Sequence, residues 1–351
     1  MLHVINDLDP EGGAQGIVRD LTSRTPDGVE WSILTLSAIS QGIAQDLSAR
    51  GVHHSHLYPL RPGSIRAARH MLGRADVLHV HLFPSLYWAA LSSKPKVFTE
   101  HNTHNRRRNH SHLRFLDHLV YRRYDRIACI SPEARSALES WLGSETKQRG
   151  DWLCVVSNGV RLERFQGFPR KSPHGEIHIA MIGSFAVQKD QATLVRAMAA
   201  LPPSFRLSFV GSGPLQGEVV SLCRTLGLAE RVSFLGYVAP SEIPAVLATT
   251  DVYVQSSHWE GFGLAAVEAM ASGVPTLGSS VPGLSGVIGD PDLLFPAGDD
   301  VALARLLLEV TDPQRYVSLS QAALQRAQTF DSVQMSESYL RVYRELIDAR
   351  E

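Results

Sequence analysis

Short apolar runs alternate along the chain with longer stretches in which apolar residues recur every three or four positions. In the first half the runs are LHVIND, WSILTLS, VLHVHLF, KVFTEH, RIACIS and CVVSNG. In the second half they are IHIAMIGSF, FRLSFVGSG, RVSFLGY, DVYVQSS, VPTLGSS and LLFPAG. Runs this short, bounded by turn residues, predict strands, and stretches such as QATLVRAMAAL between them predict helices. Strands alternating with helices imply a parallel sheet covered by helices. The series starts afresh after RFQGFPRKSPHGE, residues 164–176, where Pro, Gly and charge interrupt the periodicity. The expected fold class is therefore α/β, with each half of the chain its own doubly wound domain and the linker between them at 164–176.

Length agrees with two domains, since 351 residues exceed the ~100–200 of an ordinary one. Apolar residues make up 44% and charged residues 20%, the balance of a globular chain with a substantial core. The net charge of −1 conceals an asymmetry. Residues 1–166 hold 21 basic against 16 acidic side chains, and the remainder 13 against 19. Neither half is strongly basic and no aromatic-basic repeat occurs, which argues against nucleic acid as a partner. An anionic ligand between the halves fits better. Cys129, Cys154 and Cys223 stand singly, with no CxxC pair and no disulfide framework, so a reduced, cytoplasmic setting is expected. The opening MLHVINDL already reads as a strand, and no run of ~18 apolar residues predicts a membrane span.

In open α/β sheets, ligands bind beyond the carboxyl ends of the strands, where loops run into helix N-termini. After the first strand, DPEGGAQGIVRDL places Gly12 and Gly13 before a helical pattern. That pair either lets amides approach a phosphate or sugar, or merely makes a tight turn. In MIGSFAVQKDQATL, Lys189 precedes a helix and serves either as a point charge on phosphate or as a solvated surface residue. FVGSGPLQG sets Gly211, Gly213 and Gly217 after a strand, but the spacing is GxGxxxG. The next strand also ends without the acidic residue that would hold an adenosine ribose, which argues against a nicotinamide dehydrogenase.

The densest chemistry lies in SSHWEGFGLAAVEAMASGVPT, residues 256–276. A strand, a glycine turn and a helix would put Glu260 in the loop and Glu268 about one turn into the helix. Amides exposed at the helix start could seat a diphosphate between the two carboxylates, one meeting a sugar and the other a ribose. That arrangement suits a nucleotide-sugar. Taken singly, Glu268 also reads as a helix-surface acid and Glu260 as a charge complementing the helix dipole.

EGFGLAAVE matches the E-x7-E motif, and its setting resembles the family 4 retaining glycosyltransferases of GT-B fold. GGAQGIVRDL, VHVHLF in the form LHVHLF, TEHNTHN, CISPEARSAL, VVSNGV, KDQATLVRAMAAL, FVGSGPL and RVSFLGY stand in that family's order across nearly the whole chain. The resemblance implies two Rossmann-like domains facing across a cleft, the acceptor served by 1–165 and the donor by 166–334, with helix 335–351 packing back on the first. It further implies Glu260 on the donor sugar, Glu268 on the ribose, and amides near Phe262, Gly263, Leu264 and Ala265 along the sugar and phosphate path. Gly211 joins these donor-binding positions, Lys189 would meet the diphosphate, the Gly12–Gly13 loop would close over it, and His101 in TEHN would lie beside the transferred sugar. A strand-end hydrogen-bond network is the other reading of His101. At Ser184 the family commonly has arginine, so the diphosphate would lose a bidentate cation.

Amides, a helix dipole and Lys189 would stabilise the departing nucleoside diphosphate without a metal. The DLD of Asp7–Asp9 reads as loop chemistry, and no His/Cys cluster has zinc spacing, so no metal and no cofactor beyond the nucleotide-sugar co-substrate are expected. The acceptor would be a glycan or a lipid-linked molecule, as in synthesis of bacterial surface polysaccharide or glycolipid. Residues 104–126, with Arg106, Arg107, Arg108, Arg114, Arg122, Arg123 and Arg126 among apolar residues, could dock on an anionic membrane at its inner face. A solvated helix packing one apolar face on its own domain is the alternative there. Two other functions stay open: a nucleotide-sugar epimerase of the same fold, and a non-catalytic nucleotide-sugar-binding protein.

Overall fold

The computed structural model describes residues 1–10, 12–143, 146, 149–167 and 173–349, apart from the side chains of Arg106 and Asn109. Part of the expected linker, 168–172, and the last two residues of 335–351 lie outside the described residues. The chain divides into two units, Met1–Gly159 with Ser332–Glu351, and Val160–Asp331. The divisions fall a few residues before the 165/166 and 334/335 boundaries expected from the sequence and the family resemblance. The reason is local: Val160 pairs in parallel with Asp331 and donates its N–H to Phe330 O at 2.8 Å, while Phe165 is fully buried.

The first unit holds a seven-stranded sheet in the order β3-β2-β1-β4-β5-β6-β7. The strands are β1 (Leu2–Ile5), β2 (Ser32–Thr35), β3 (His53–His56), β4 (Leu78–His81), β5 (Lys96–Glu100), β6 (Arg126–Cys129) and β7 (Leu153–Val155), and every pairing is parallel. β3 has no apolar signature because, as an edge strand, it is covered on one side only and its HHSH sequence stays partly exposed. In the centre, His3 pairs with His79 and His81 with Thr99, which sets these polar side chains on one face of a buried sheet. Helix Ser332–Asp348 covers that face through Tyr339 and Tyr343, whose hydroxyls bond Thr99 Oγ1 at 3.0 Å and His79 Nδ1 at 2.6 Å.

The second unit holds a six-stranded parallel sheet, β10-β9-β8-β11-β12-β13. Its strands are β8 (Ile177–Ile182), β9 (Phe205–Val210), β10 (Val232–Phe234), β11 (Val252–Gln255), β12 (Thr276–Ser279) and β13 (Leu294–Phe295). Phe185, Phe209 and Phe234 pack ring to ring with centroids 5.5–5.9 Å apart, anchoring the loop after β8 in the core. In each sheet the strand order reverses once, between β1 and β4 and between β8 and β11. Such reversals open a crevice at the strands' carboxyl ends, where ligands of doubly wound folds bind. Among the described residues no helix is long and apolar enough to cross a membrane.

Candidate active site

At the β8/β11 reversal, two loops bring Lys189 and Glu260 into an ion pair, Nζ to Oε1. The lysine stem lies across Gly183, where a Cβ would come within 3.3 Å of its Cε. Glu260 is buried, and its Oε1 also accepts from Ser257 Oγ at 2.8 Å and from Gln255 Nε2 at 3.3 Å. Gln255 is oriented in turn by Tyr253, whose hydroxyl donates to its Oε1 at 2.6 Å. Burial holds the Tyr253 phenol well above its ordinary value, with the Glu260 and Glu268 carboxylates acting in the same sense. It therefore remains a neutral donor. Tyr253, Gln255 and Ser257 were missed as site residues, although they occupy alternate positions and so share one face of a buried strand and its extension.

Helix Leu264–Ala271 begins beside this network with no side-chain cap and no acidic residue in its first turn. Its opening amides, those of Leu264 and Ala265, therefore lie where a helix has no intrahelical partners to offer. Gly263, directly before them, has φ +102°, a conformation side chains rarely adopt, so the turn that exposes these amides depends on glycine. Phe262 is buried edge-on against Phe330, so only its backbone is available to a ligand. Glu268 sits half-buried on the same helix, close enough to act on Tyr253. Ser184 is exposed next to Gly183, its carbonyl accepting from Gln191 Nε2 at 3.0 Å. Gly211 has a packing role, because a Cβ there would stand 2.4 Å from Gly183 O. It allows the loops after β8 and β9 to touch.

In the first unit, Gly12 and Gly13 open helix Gly13–Leu21, which also lacks a side-chain cap and first-turn acids. A Cβ on Gly12 would collide with the Gln15 amide, which donates to Asp7 Oδ1 at 2.8 Å. The same oxygen accepts from Asp9 N at 3.0 Å, so Asp7 closes the loop. His101 follows β5 and is almost fully buried, with Nε2 3.0 Å from His81 Nδ1; burial lowers it to about 3, leaving it neutral.

Zinc spacing is absent from the sequence, yet the sheet register assembles His3, His79 and His81 with one nitrogen of each within 4.8 Å of the others. Sequence spacing alone does not show this group, since residues remote in sequence meet through strand pairing. All of their nitrogens but His3 Nε2 are engaged: His3 Nδ1 with His81 Nε2 at 3.1 Å, His81 Nδ1 with His101 Nε2 at 3.0 Å, and His79 with Tyr343 OH and Thr99 Oγ1, both at 2.6 Å. The His79 and His81 rings also pack against each other, centroids 4.0 Å apart and tilted by 37°. Only the strand alternation of LHVHLF, with histidine at positions expected to be core, hinted at this arrangement.

Residues 104–126 pack through polar as well as apolar side chains. Arg107 turns inward onto Asp117 and over the Phe83 and Tyr87 rings, and Arg108 bonds Glu100 at 2.9 Å. Helix Leu113–Tyr121 buries Asp117, Val120 and Tyr121 and turns Phe115, Leu116 and Leu119 outward, with Arg114, Arg122 and Arg123 exposed nearby. The packed face is thus partly polar and the outer face partly apolar.

Residues 28–164 match the model of Glycosyltransferase Family 4 and residues 164–326 that of Glycosyl transferases group 1. The 2-deoxystreptamine glucosyltransferase of Streptomyces kanamyceticus is 34% identical over 157 residues, 43% of this chain and 40% of that relative, so less than half of the relative's length is matched. The crystal structure of Anabaena HepE in complex with UDP and glucose superposes with a TM-score of 0.82 at 20% identity, covering 97% of this chain and 98% of the other. Sucrose-phosphate synthase from Thermosynechococcus elongatus gives 0.82 at 21% identity, covering 99% of each. Two parallel sheets with these neighbours make the fold GT-B. The chain belongs to the family 4, group 1 glycosyltransferases.

Proposed function

We propose that the chain is a retaining transferase that moves a sugar from a nucleotide-sugar to a glycan or lipid-linked acceptor. The observation that carries this reading is the Lys189–Glu260 pair at the β8/β11 reversal, beside the uncapped N-terminus of helix Leu264–Ala271. An ammonium has three protons, so Lys189 can keep its bond to Glu260 and still donate to a diphosphate. The first-turn amides and the helix dipole add positive potential where the leaving group gains charge. Glu268 is assigned to the ribose, Glu260 to the transferred sugar, and His101 to the same sugar by the family resemblance. Oε1 of Glu260 is held by Lys189, Ser257 and Gln255, which suits an acceptor of sugar hydroxyls rather than a covalent nucleophile. No metal enters this scheme, because Lys189 and the amides supply the charge. The HepE complex with UDP and glucose supports a uridine donor as the first to try.

An acceptor carried on an anionic membrane is favoured by the outward Phe115, Leu116 and Leu119 among exposed arginines. Synthesis of surface polysaccharide or glycolipid at the inner face of the cell membrane is the setting we propose. The test is to incubate the protein with a panel of nucleotide-sugars, with and without candidate acceptors, and to read thermal shift, nucleoside-diphosphate release and donor identity. Release coupled to acceptor glycosylation is expected. Isomerised donor would instead indicate an epimerase, and binding without release a non-catalytic protein.

A further inference from the structure

His101 is the outer member of a chain of three imidazoles. Its Nε2 lies 3.0 Å from His81 Nδ1, and His81 Nε2 lies 3.1 Å from His3 Nδ1. Burial keeps all three neutral, lowering His3 and His101 to about 3 and His81 well below its ordinary range. His79 offers no competing partner, because its two nitrogens are taken by Tyr343 and Thr99.

A neutral imidazole carries one proton, and each nitrogen-to-nitrogen bond needs one N–H and one lone pair. Three rings and two bonds then allow only two proton arrangements. If every ring donates inward from Nε2, the chain ends in a His3 Nε2–H. If every ring donates outward from Nδ1, the proton left over is the Nδ1–H of His101. Among the described residues, the buried His3 Nε2 has no hydrogen-bond partner. Orphaned buried N–H groups are rarer than under-satisfied acceptors, so a bare lone pair is the better tenant of that position. The outward arrangement follows.

We propose that His3 and His81 are positioning residues that hold His101 in the Nδ1–H tautomer, making it a fixed, uncharged hydrogen-bond donor to an oxygen of the transferred sugar. The tautomer of a histidine is set by the bond its other nitrogen makes, and here that bond is relayed from a residue two strands away, from β1 through β4 to the end of β5. The sugar as recipient rests on the function proposed above; the tautomer does not.

The direct test is a two-bond proton–nitrogen correlation on the full chain labelled with nitrogen-15 histidine. Protonated, pyrrole-type Nδ1 on His3, His81 and His101 is expected, and a pyrrole-type Nε2 on His101 would overturn the proposal. Two variants separate positioning from packing. His3→Asn retains a donor toward His81, whereas His3→Phe fills the space without one. His3→Phe is expected to lower donor kcat/KM about tenfold, on the scale of one hydrogen bond, with calorimetric UDP affinity unchanged. His3→Asn is expected to recover most of that loss. Equal losses in both variants, accompanied by weaker UDP binding, would mean that His3 only fills the core. Should His3→Phe fail to fold, the wild-type spectrum decides alone. Outward tautomers in a protein that transfers no sugar would refute the function and not the relay.

Discussion

Replacing Lys189 with methionine removes the cation from a carboxylate that has almost no water. The Glu260 side chain is 7% exposed and that of Lys189 19%. Deleting one partner of a fully buried ion pair destabilises by about 3–5 kcal/mol. Ser257 and Gln255 still donate to the carboxylate after the change, so about 2–3 kcal/mol is the loss expected here. In a unit of about 170 residues, each kcal/mol moves the melting temperature by about 2–4 °C, giving a shift of roughly 4–12 °C. Adding Glu260→Gln should return most of that stability, because a neutral amide keeps an oxygen for Ser257 and Gln255 and no longer needs a cation. Urea denaturation of the wild type, both single variants and the double variant gives the coupling energy directly. The same Lys189→Met protein should bind UDP about tenfold to a hundredfold more weakly, the scale of one charged hydrogen bond. A loss below about 0.5 kcal/mol with additive single effects would place Lys189 in solvent. Unchanged UDP affinity would remove it from the diphosphate site.

Three further outcomes are expected. Between pH 6.5 and about 3, an unfolded chain protonates imidazoles that His3 and His101 leave neutral when folded, so stability falls as pH drops through that window. Each ring contributes a slope of up to about 1.4 kcal/mol per pH unit, and urea midpoints that stay flat from pH 7 to pH 5 would contradict the burial. Ser184→Arg should tighten nucleoside-diphosphate binding about tenfold to a hundredfold, because position 184 is exposed beside the lysine stem and a guanidinium bonds two phosphate oxygens. Calorimetric titration with UDP, GDP and ADP checks this, and equal affinities would show that position 184 does not face the diphosphate. Transfer should persist in EDTA; abolition with rescue by Mg²⁺ or Mn²⁺ would overturn the metal-free scheme.

Strand positions were legible wherever burial on both faces forces a continuous apolar run, as in the IAM of β8 and the IAC of β6. β3 was not, because an edge strand can be built from HHSH without such a run. The unit boundary differs for a related reason: residues 160–163 lie before the break in periodicity and 164–165 at its start, yet a single parallel bridge and a buried Phe165 commit them to the second unit.

The site divides along a similar line. Glu260, Gly263 and Glu268 could be read from one contiguous segment, since the glycine turn and the helix that separate them are local structures. The bond between Lys189 and Glu260 joins residues 71 positions apart and depends on β8 lying beside β11, an adjacency that only the strand order supplies. The histidines depend even more on that order. HVH in β4 says that two side chains share a face, but not that His3 stands opposite, nor that Tyr343 arrives from a helix 264 residues later. Sheet register turns isolated polar residues in core strands into a connected network. A polar residue on the buried face of a parallel strand therefore calls for a partner on the neighbouring strand, and its chemistry belongs to the pair.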